Sequence, residues 1–279
     1  MYRTIEPTFD VQRLSFWAST CETCHLGSCV VDSHGFAETF PGLSVLRLVD
    51  VEQECLVELR EVPEYVALSY IWGEVPSLRL STTNRPHLVK PEGIKAAWKS
   101  VPRTIRDAIL LVKKLGKRYL WVDTLCLVQN DREDLHAGVN VMDMIYEASW
   151  LTIVAACGHN ANAGLPGVQK SSRLKVEMGS RVTESTSLGV YEPLGILLSY
   201  SVYSSRAWTC VLNTYRVDLL QLSITANGCR FLGSKKSFWH GVRFTSWTTK
   251  SFSGAEKTTT LSTWLTMTIQ HVLTLFFLR

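Results

Sequence analysis

Three apolar runs in the middle of the chain have the pattern of buried β-strands. They are Tyr65–Gly73 (YVALSYIWG), Lys117–Gln129 (KRYLWVDTLCLVQ) and Trp150–Ala156 (WLTIVAA). Each run is rich in β-branched and aromatic residues, and apolar side chains fall on both of its faces, as in a sheet covered on both sides. In the second run we predict a strand over Lys117–Leu127, which gives way to a polar segment at Gln129.

Helical patterns separate these three strands. In Ser100–Gly116, apolar residues recur at three- and four-residue steps, and Pro102 suits the first turn. A second helix is predicted over about Arg132–Ser149, with Asp131 as its N-cap. The order strand, helix, strand, helix, strand, with short connections, predicts an α/β fold with a parallel sheet and right-handed crossovers.

The N-terminal part of the chain predicts a β-hairpin. Leu43–Val51 and Cys55–Val62 alternate apolar and polar residues, with Asp50–Glu54 between them as the turn. Three less regular elements are also predicted: a short helix around Val11–Ala18, a strand at Leu78–Ser81 and a strand at Val190–Ser199.

Polar residues follow the strands of the predicted sheet. Parallel strands end at the same edge, so we expect these residues to form a crevice for a small polar ligand. The carboxylate of Asp123 is its centre. In a structural alternative, Asp123 caps the next turn, Gln129 bonds backbone and Trp72 belongs to the core. The residues expected in the crevice are Ser69, Trp72, Gly73, Glu74, Asp123, Cys126 and Gln129, with Gly158 and His159 nearby.

Composition and charge are those of an ordinary globular protein, with 279 residues, 46% hydrophobic and 19% charged. Residues 1–199 carry 20 Lys and Arg against 23 Asp and Glu, whereas residues 200–279 carry 9 against 2. The basic residues of this C-terminal part are not clustered, so we expect no nucleic acid as a partner.

The segment C-E-T-C-H-L-G-S-C contains the candidate metal ligands Cys21, Cys24, His25 and Cys29. Its C-x-x-C-H pattern has three interpretations: c-type haem attachment, a zinc site, or a reduced cluster that packs a helix end. No second C-x-x-C or H-x-x-H pair follows, which favours the last. The chain does not start with the pattern of a secretory signal, so we expect reduced thiols and a cytoplasmic location.

The run Leu261–Leu278 is apolar enough to raise the question of a membrane anchor. Its length is at the lower limit for a span, roughly 17–25 residues, and Gln270 and His271 interrupt it. A buried or aggregation-prone helix, or translation out of frame, is favoured over an anchor, and we expect no membrane contact.

Several blocks together resemble the heterokaryon incompatibility (HET) domain of filamentous fungi. The resemblance covers about residues 65–209, and the hairpin and Trp17–Cys29 are similar to the usual lead-in. It implies nonself recognition that triggers programmed cell death, through association with other HET or incompatibility proteins or with a second copy. The blocks, in order, are YVALSYIWG, VPRTIRDAILLVKKLG, RYLWVDTLCLVQNDRED, VMDMIYEASWLTIVAACG followed by AGLPG, and SSRAWT.

The HET family is distantly similar to TIR domains, which implies a TIR/flavodoxin-like core. Some TIR domains cleave NAD at its glycosidic bond with a Glu, so the resemblance adds the alternative of an NAD glycohydrolase, with NAD as substrate and no cofactor. Asp123 is then the catalytic candidate, and Trp72 or Trp208 stacks on the base. Arg206 and Trp208 join the ligand-binding candidates. A zinc-binding interaction module is a third alternative.

The chain departs from the HET pattern after Trp208. The family continues W-T-x-Q-E, whereas here Thr209 is followed by Cys-Val-Leu, so the Gln-Glu pair is absent and catalysis is in doubt. We predict a lead-in over residues 1–42, a HET domain over 43–209 and an irregular tail over 210–279. That tail would be degenerate or misframed, from an unspliced intron, a frameshift or gene decay.

Overall fold

The computed structural model describes residues 7–24, 35–173, 179–181, 187–189, 201–205 and 274–278. The helices and strands, numbered along the chain, are α1 Val11–Cys24, α2 Phe36–Thr39, β1 Leu46–Asp50, β2 Cys55–Leu59, β3 Tyr65–Tyr70, α3 Arg85–Leu88, α4 Gly93–Ala96, a 3₁₀ helix Trp98–Ser100, α5 Arg103–Lys114, β4 Tyr119–Val122, α6 Asp123–Cys126, α7 Arg132–Asn140, α8 Met142–Ala148, β5 Leu151–Ala155, β6 Gly179–Arg181, β7 Ser187–Gly189, a 3₁₀ helix Val202–Ser205 and β8 Thr274–Leu278.

The main sheet has six strands in the order β2-β1-β4-β3-β5-β8. Its centre is parallel, because β3 pairs with both β4 and β5 in the same direction. The outer pairs β1–β2, β1–β4 and β5–β8 are antiparallel. The predicted α/β fold with three adjacent parallel strands is therefore confirmed, and so is the N-terminal hairpin.

The helix α5 confirms the prediction from Ser100–Gly116. Its apolar stripe, which includes Ile105, Ala108 and Val112, is fully buried against the sheet. Lys113 and Lys114 occupy the last turn, where cations interact favourably with the helix dipole. The helix thus follows from amphipathic spacing and from residues suited to its end.

The second predicted helix is two helices. Asp131 caps α7 as predicted, since its Oδ1 accepts hydrogen bonds from the backbone N–H groups of Glu133 and Asp134. The helix then breaks at the buried Val141, and α8 begins at the next residue. Gly138 and β-branched residues around the break have low helix propensity, so packing of each short helix decides its direction.

The strand predicted over Lys117–Leu127 is wrong in its second half. Only Tyr119–Val122 is strand, and Asp123–Cys126 forms one helical turn. The polar pair after Val122 explains the turn. The carboxylate of Asp123 accepts from the backbone N–H of Thr124 at 2.7 Å, and the Thr124 hydroxyl bonds to the Tyr70 hydroxyl at 2.8 Å.

Three other predictions of secondary structure need correction or stay untested. Leu78–Ser81 is not a strand, although Leu80 exchanges backbone hydrogen bonds with Thr124 and Gln129. The first helix runs to Cys24 instead of ending at Ala18. Val190–Ser199 lies outside the described residues.

The C-terminal part of the chain contributes one described element. Thr274–Leu278, at the end of the apolar run, is a strand paired with β5 and not a helix. Among the residues that the structure describes, no helix is both long and apolar enough to cross a membrane. The domain boundaries at residues 42/43 and 209/210 stay predictions.

A buried arginine joins the hairpin to the parallel core. Arg47, on β1, is 5% exposed and forms a two-point ion pair with Asp134 on α7, at 2.7 and 2.9 Å. Its Nε donates to Glu58 on β2 at 2.9 Å, and the more exposed Arg85 binds the same carboxylate at 2.7 Å. These contacts make residues before the parallel strands part of the same fold.

We expect Glu58 to make stability depend on pH in the acid range. Burial alone would raise the pKa of Glu58, but hydrogen bonds from Arg85 and Arg47 outweigh it and hold the pKa below its ordinary value of 4.5. Such a carboxyl group stabilises the fold above its unfolded pKa, and the contribution is lost as the pH falls through the folded value.

Urea unfolding across this range measures the effect. Glu58→Gln should be less stable than wild type at about pH 7, with a difference that shrinks as the pH falls below about 4.5. The matched control is Glu61→Gln, which changes an exposed carboxylate nearby and should have little effect. A Glu58→Gln difference that does not vary with pH would contradict the assignment.

Candidate functional site

Trp72 and Asp123 meet at the edge where the parallel strands end. The indole Nε1 of Trp72 donates to Asp123 Oδ2 at 2.9 Å and lies 3.2 Å from Oδ1. Both side chains are half-buried. The guanidinium of Arg79 lies over the Trp72 ring, 5.1 Å from its centre. We call this edge the rim; the predicted meeting of Asp123 with the Ser-Tyr-Ile-Trp-Gly block is confirmed.

Ser69 lies below the rim and is engaged inside the protein. It is buried on β3, and its hydroxyl bonds to the hydroxyl of the fully buried Tyr203 at 2.7 Å. Tyr203 directly precedes the last HET-like block, SSRAWT, so this contact brings the start of that block close to β3. Tyr203 was not among the predicted site residues, although it stands beside the Ser-Ser-Arg-Ala-Trp-Thr block. It lies in the short 3₁₀ helix Val202–Ser205, and the sequence gives no signal of its distant partner.

Gln129 and Cys126 support the turn that carries Asp123. The Gln129 amide donates to the backbone carbonyls of Asp123 at 3.1 Å and Leu127 at 2.9 Å. The Cys126 thiol is buried and accepts from the backbone N–H of Val122, and burial raises its pKa to about 12. Gln129 therefore behaves as in the structural alternative, and Cys126 holds a neutral thiol beneath the rim.

The Gly73–Glu74 segment is exposed and borders the rim. Gly73 has φ +64, and a Cβ at this position would lie 2.4 Å from the Cβ of Asn160 and 3.0 Å from the carbonyl of His159. The carbonyl of Trp72 also accepts from the backbone N–H of Ala161 at 3.0 Å. The loop after β5 thus packs directly on the loop after β3, where His159 was expected.

The other predicted site residues lie either outside the described residues or on α1. Arg206, Trp208, His25 and Cys29 are outside the described residues. Cys21 and Cys24 belong to the end of α1. Within the described ranges, no group of three or more His, Cys, Asp or Glu side chains is placed to hold a metal ion. The zinc interpretation stays a prediction, as does the catalytic and ligand-binding role of every residue named for the rim.

The Ala-Gly-Leu-Pro-Gly segment is anchored by the first turn of α5. The buried carboxylate of Asp107 accepts from the backbone N–H of Leu165 at 2.8 Å and from the side-chain amide of Gln169. The Thr104 hydroxyl accepts from the backbone N–H of Gly164 at 3.0 Å. Asp107 is not among the predicted site residues, because its spacing on the helix does not reveal the loop that covers it.

We expect Asp107→Asn to destabilise the protein by about 1–3 kcal/mol. The amide keeps one acceptor but turns an NH₂ group towards either Leu165 or Gln169, both of which supply donors. Urea unfolding gives the change in the free energy of unfolding, and hydrogen exchange at residues 163–167 reports the loop. Asp143→Asn, at an exposed carboxylate on α8, is the control and should be close to neutral; equal effects would contradict the anchoring role.

The rim offers a carboxylate between an indole N–H and a backbone N–H, with a guanidinium above the indole. The carboxylate of Asp123 accepts from donors of Trp72 and Thr124, and a carboxylate is also the group that accepts from donors of a polar ligand. The flanking aromatic face suits stacking or cation contacts. This geometry fits polar recognition, and it also provides the carboxylate that hydrolysis of a glycosidic bond requires.

Comparisons with known proteins support one family. The family model described as heterokaryon incompatibility protein (HET) matches residues 65–211, which are 147 of the 279 residues. No curated protein and no solved structure gives a match. The matched range begins at β3 and includes Trp72, Asp123, the Ala-Gly-Leu-Pro-Gly segment and Tyr203, so it contains the whole rim as described. The chain belongs to the heterokaryon incompatibility protein (HET) family.

Proposed function

We propose that this protein is a nonself-recognition effector, which acts in the cytoplasm by association of its HET domain and triggers programmed cell death. Its partners are other HET or incompatibility proteins, including a second copy of this chain. The observation that supports this function is that the polar side chains at the rim are bonded to one another and to the backbone.

Most of these polar groups are occupied by contacts inside the protein. Trp72 and Thr124 bind the Asp123 carboxylate, Gln129 binds backbone carbonyls, and Ser69 binds Tyr203. A catalytic site usually holds side chains that are free to reach a substrate. A set of mutually bonded side chains instead makes a rigid surface, which favours recognition over turnover.

The helix α1 precedes the HET domain in the chain but packs on the same hydrophobic core through Leu14, and it supplies an apolar surface suited to association. Leu14 and Ala18 are buried on its inner side, whereas Phe16 is 66% exposed and Trp17 is 49% exposed. Exposed aromatic side chains mark protein interaction sites, and tryptophan is among the residues that contribute most to binding energy there. The two adjacent aromatic residues are therefore the first place to test association.

Inducible expression of the full chain in a filamentous fungus tests the proposal. Two differently tagged copies are co-expressed, and cell survival, copy–copy association and cellular NAD are measured together. Association and cell death should both fall when Phe16→Ala and Trp17→Ala are combined, while NAD stays constant before death. Met144→Ala, at an exposed apolar residue on α8, is the matched control and should leave both unchanged. Death that persists when association is lost would overturn the proposal.

The second candidate function is hydrolysis of NAD at its glycosidic bond. It is supported by the half-buried Asp123 carboxylate next to an aromatic ring, which would face the ribose while Trp72 stacks on the base. The absent Gln-Glu pair after Thr209 weighs against it. Purified full-length protein should then consume NAD and lose that activity in Asp123→Asn. NAD loss that precedes cell death, and that disappears in this variant, would replace the first proposal by the second.

A further inference from the structure

A surface pocket of about 410 Å³ lies beside α5 and shares no residue with the rim. This volume is within the range of small-molecule sites, roughly 300–1,000 Å³. Its lining combines two arginines, an indole, an aliphatic side chain and an amide. The lining residues are Trp98, Arg103, Arg106, Leu110 and Gln169.

The helix geometry explains why the two arginines share one pocket. Arg103 and Arg106 are three residues apart on α5, and Leu110 continues the same face four residues later. Gln169 is held against the helix by its hydrogen bond to Asp107. The pocket wall is therefore built from one face of α5 and from a loop that is anchored to the same helix.

The charges in the pocket are incompletely neutralised. The Nε of Arg103 lies 3.8 Å from the carboxylate of the buried Asp107, which neutralises part of the charge of Arg103. Arg106 has no carboxylate within ion-pair distance among the described residues, and its Nε is buried without a hydrogen-bond acceptor. A buried guanidinium N–H is normally bonded, so Arg106 has hydrogen-bonding and charge-pairing capacity that the described residues leave unused.

We propose that this pocket binds a small phosphate monoester that carries an aromatic ring. Guanidinium groups bind phosphate oxygens through paired, charge-assisted hydrogen bonds, and two of them lie on the same helix face. Trp98 supplies a half-exposed indole against which a planar ring packs, and Leu110 supplies an apolar floor. The phosphate therefore lies against Arg106 and Arg103, and the ring lies towards Trp98.

Calorimetric titration of the full-length protein with adenosine monophosphate (AMP) tests the site, and adenosine is the matched neutral probe. AMP should bind with a stoichiometry of one, and adenosine at least about tenfold more weakly, because it lacks the charge-assisted hydrogen bonds. Arg106→Gln should weaken AMP binding by about tenfold or more. Arg106→Lys keeps the charge but loses the planar guanidinium, so its AMP affinity should lie between those of wild type and Arg106→Gln.

Two control variants locate the binding. Arg132→Gln removes an exposed arginine at the start of α7 and should leave the AMP affinity unchanged. Arg79→Gln removes the arginine at the rim and should also leave it unchanged. Thermal unfolding of each variant shows whether it is folded. If Arg106→Gln is unfolded, the AMP affinity of Arg106→Lys decides the test. Absence of AMP binding, equal affinity for adenosine, or loss of binding in Arg79→Gln but not in Arg106→Gln would overturn the proposal.

Discussion

Replacing Arg47 by methionine should destabilise the protein by about 3–5 kcal/mol, the cost of leaving one partner of a buried ion pair uncompensated. Arg47 is 5% exposed, and its guanidinium is the two-point partner of Asp134. Methionine fills most of the volume but supplies no donor, so among the described residues the largely buried Asp134 carboxylate keeps only the backbone N–H of Val128, at 2.9 Å. Urea unfolding of the full chain at neutral pH measures the loss.

Arg85 provides the matched control for this prediction. It binds the same Glu58 carboxylate as Arg47 does, but its side chain is 43% exposed. Exposed ion pairs contribute about 0–1 kcal/mol, so Arg85→Met should have only a small effect. Combining Arg47→Met with Asp134→Leu should recover part of the stability, because no buried charge then remains unpaired. Equal effects of the two arginine substitutions would contradict the structural role of Arg47.

The ion pair also shows that the fold extends beyond the family match towards the N-terminus. The family match starts at residue 65, yet Arg47 and Glu58 lie in the hairpin before it. β1 pairs directly with β4, so the hairpin extends the same sheet as the parallel strands. We expect a fragment cut at the start of the family match to expose the edge of β4 and the Asp134 carboxylate, and to be much less stable than the full chain.

The parallel core could be predicted because its signals are local. Apolar runs on both faces identify β3, β4 and β5, and the spacing of Ile105, Ala108 and Val112 identifies α5. Parallel order then places the ends of β3 and β4 at one edge. The proximity of Trp72 and Asp123 follows from these steps, whereas the hydrogen bond between them is found only in the structure.

The remaining features depend on contacts between distant residues. Arg47 and Asp134 are 87 positions apart, and Ser69 and Tyr203 are 134 apart. Periodicity places each residue in its strand or helix but does not identify its distant partner, and a polar residue has the same sequence signature whether it is buried or solvated. The helical turn after Val122 was missed for a related reason: the apolar residues of the Thr-Leu-Cys segment fit a strand equally well, and only hydrogen bonds of Asp123 and Thr124 decide for a turn.

Replacing Gly73 by alanine should destabilise the protein by about 2–5 kcal/mol and disturb the rim. Two effects add. A residue with a Cβ loses about 1–2 kcal/mol in the left-handed region, where Gly73 has φ +64. The new Cβ would also lie 2.4 Å from the Cβ of Asn160 and 2.9 Å from its Cα, and overpacking of this kind costs about 1–3 kcal/mol.

Two other glycines separate these effects in the same urea-unfolding experiment. Gly116 has φ +68 but nothing within 4 Å of its Cβ position. Gly116→Ala therefore measures only the cost of placing a residue with a Cβ in the left-handed region. Gly35 has φ −61 and an equally open Cβ position, so Gly35→Ala should be close to neutral. The difference between the stability losses of Gly73→Ala and Gly116→Ala then measures the cost of the clash between the loops after β3 and β5. Because the Trp72 carbonyl binds Ala161 across that contact, separating the loops should also displace the indole from Asp123. Equal destabilisation of Gly73→Ala and Gly116→Ala would show that these loops do not hold the rim together.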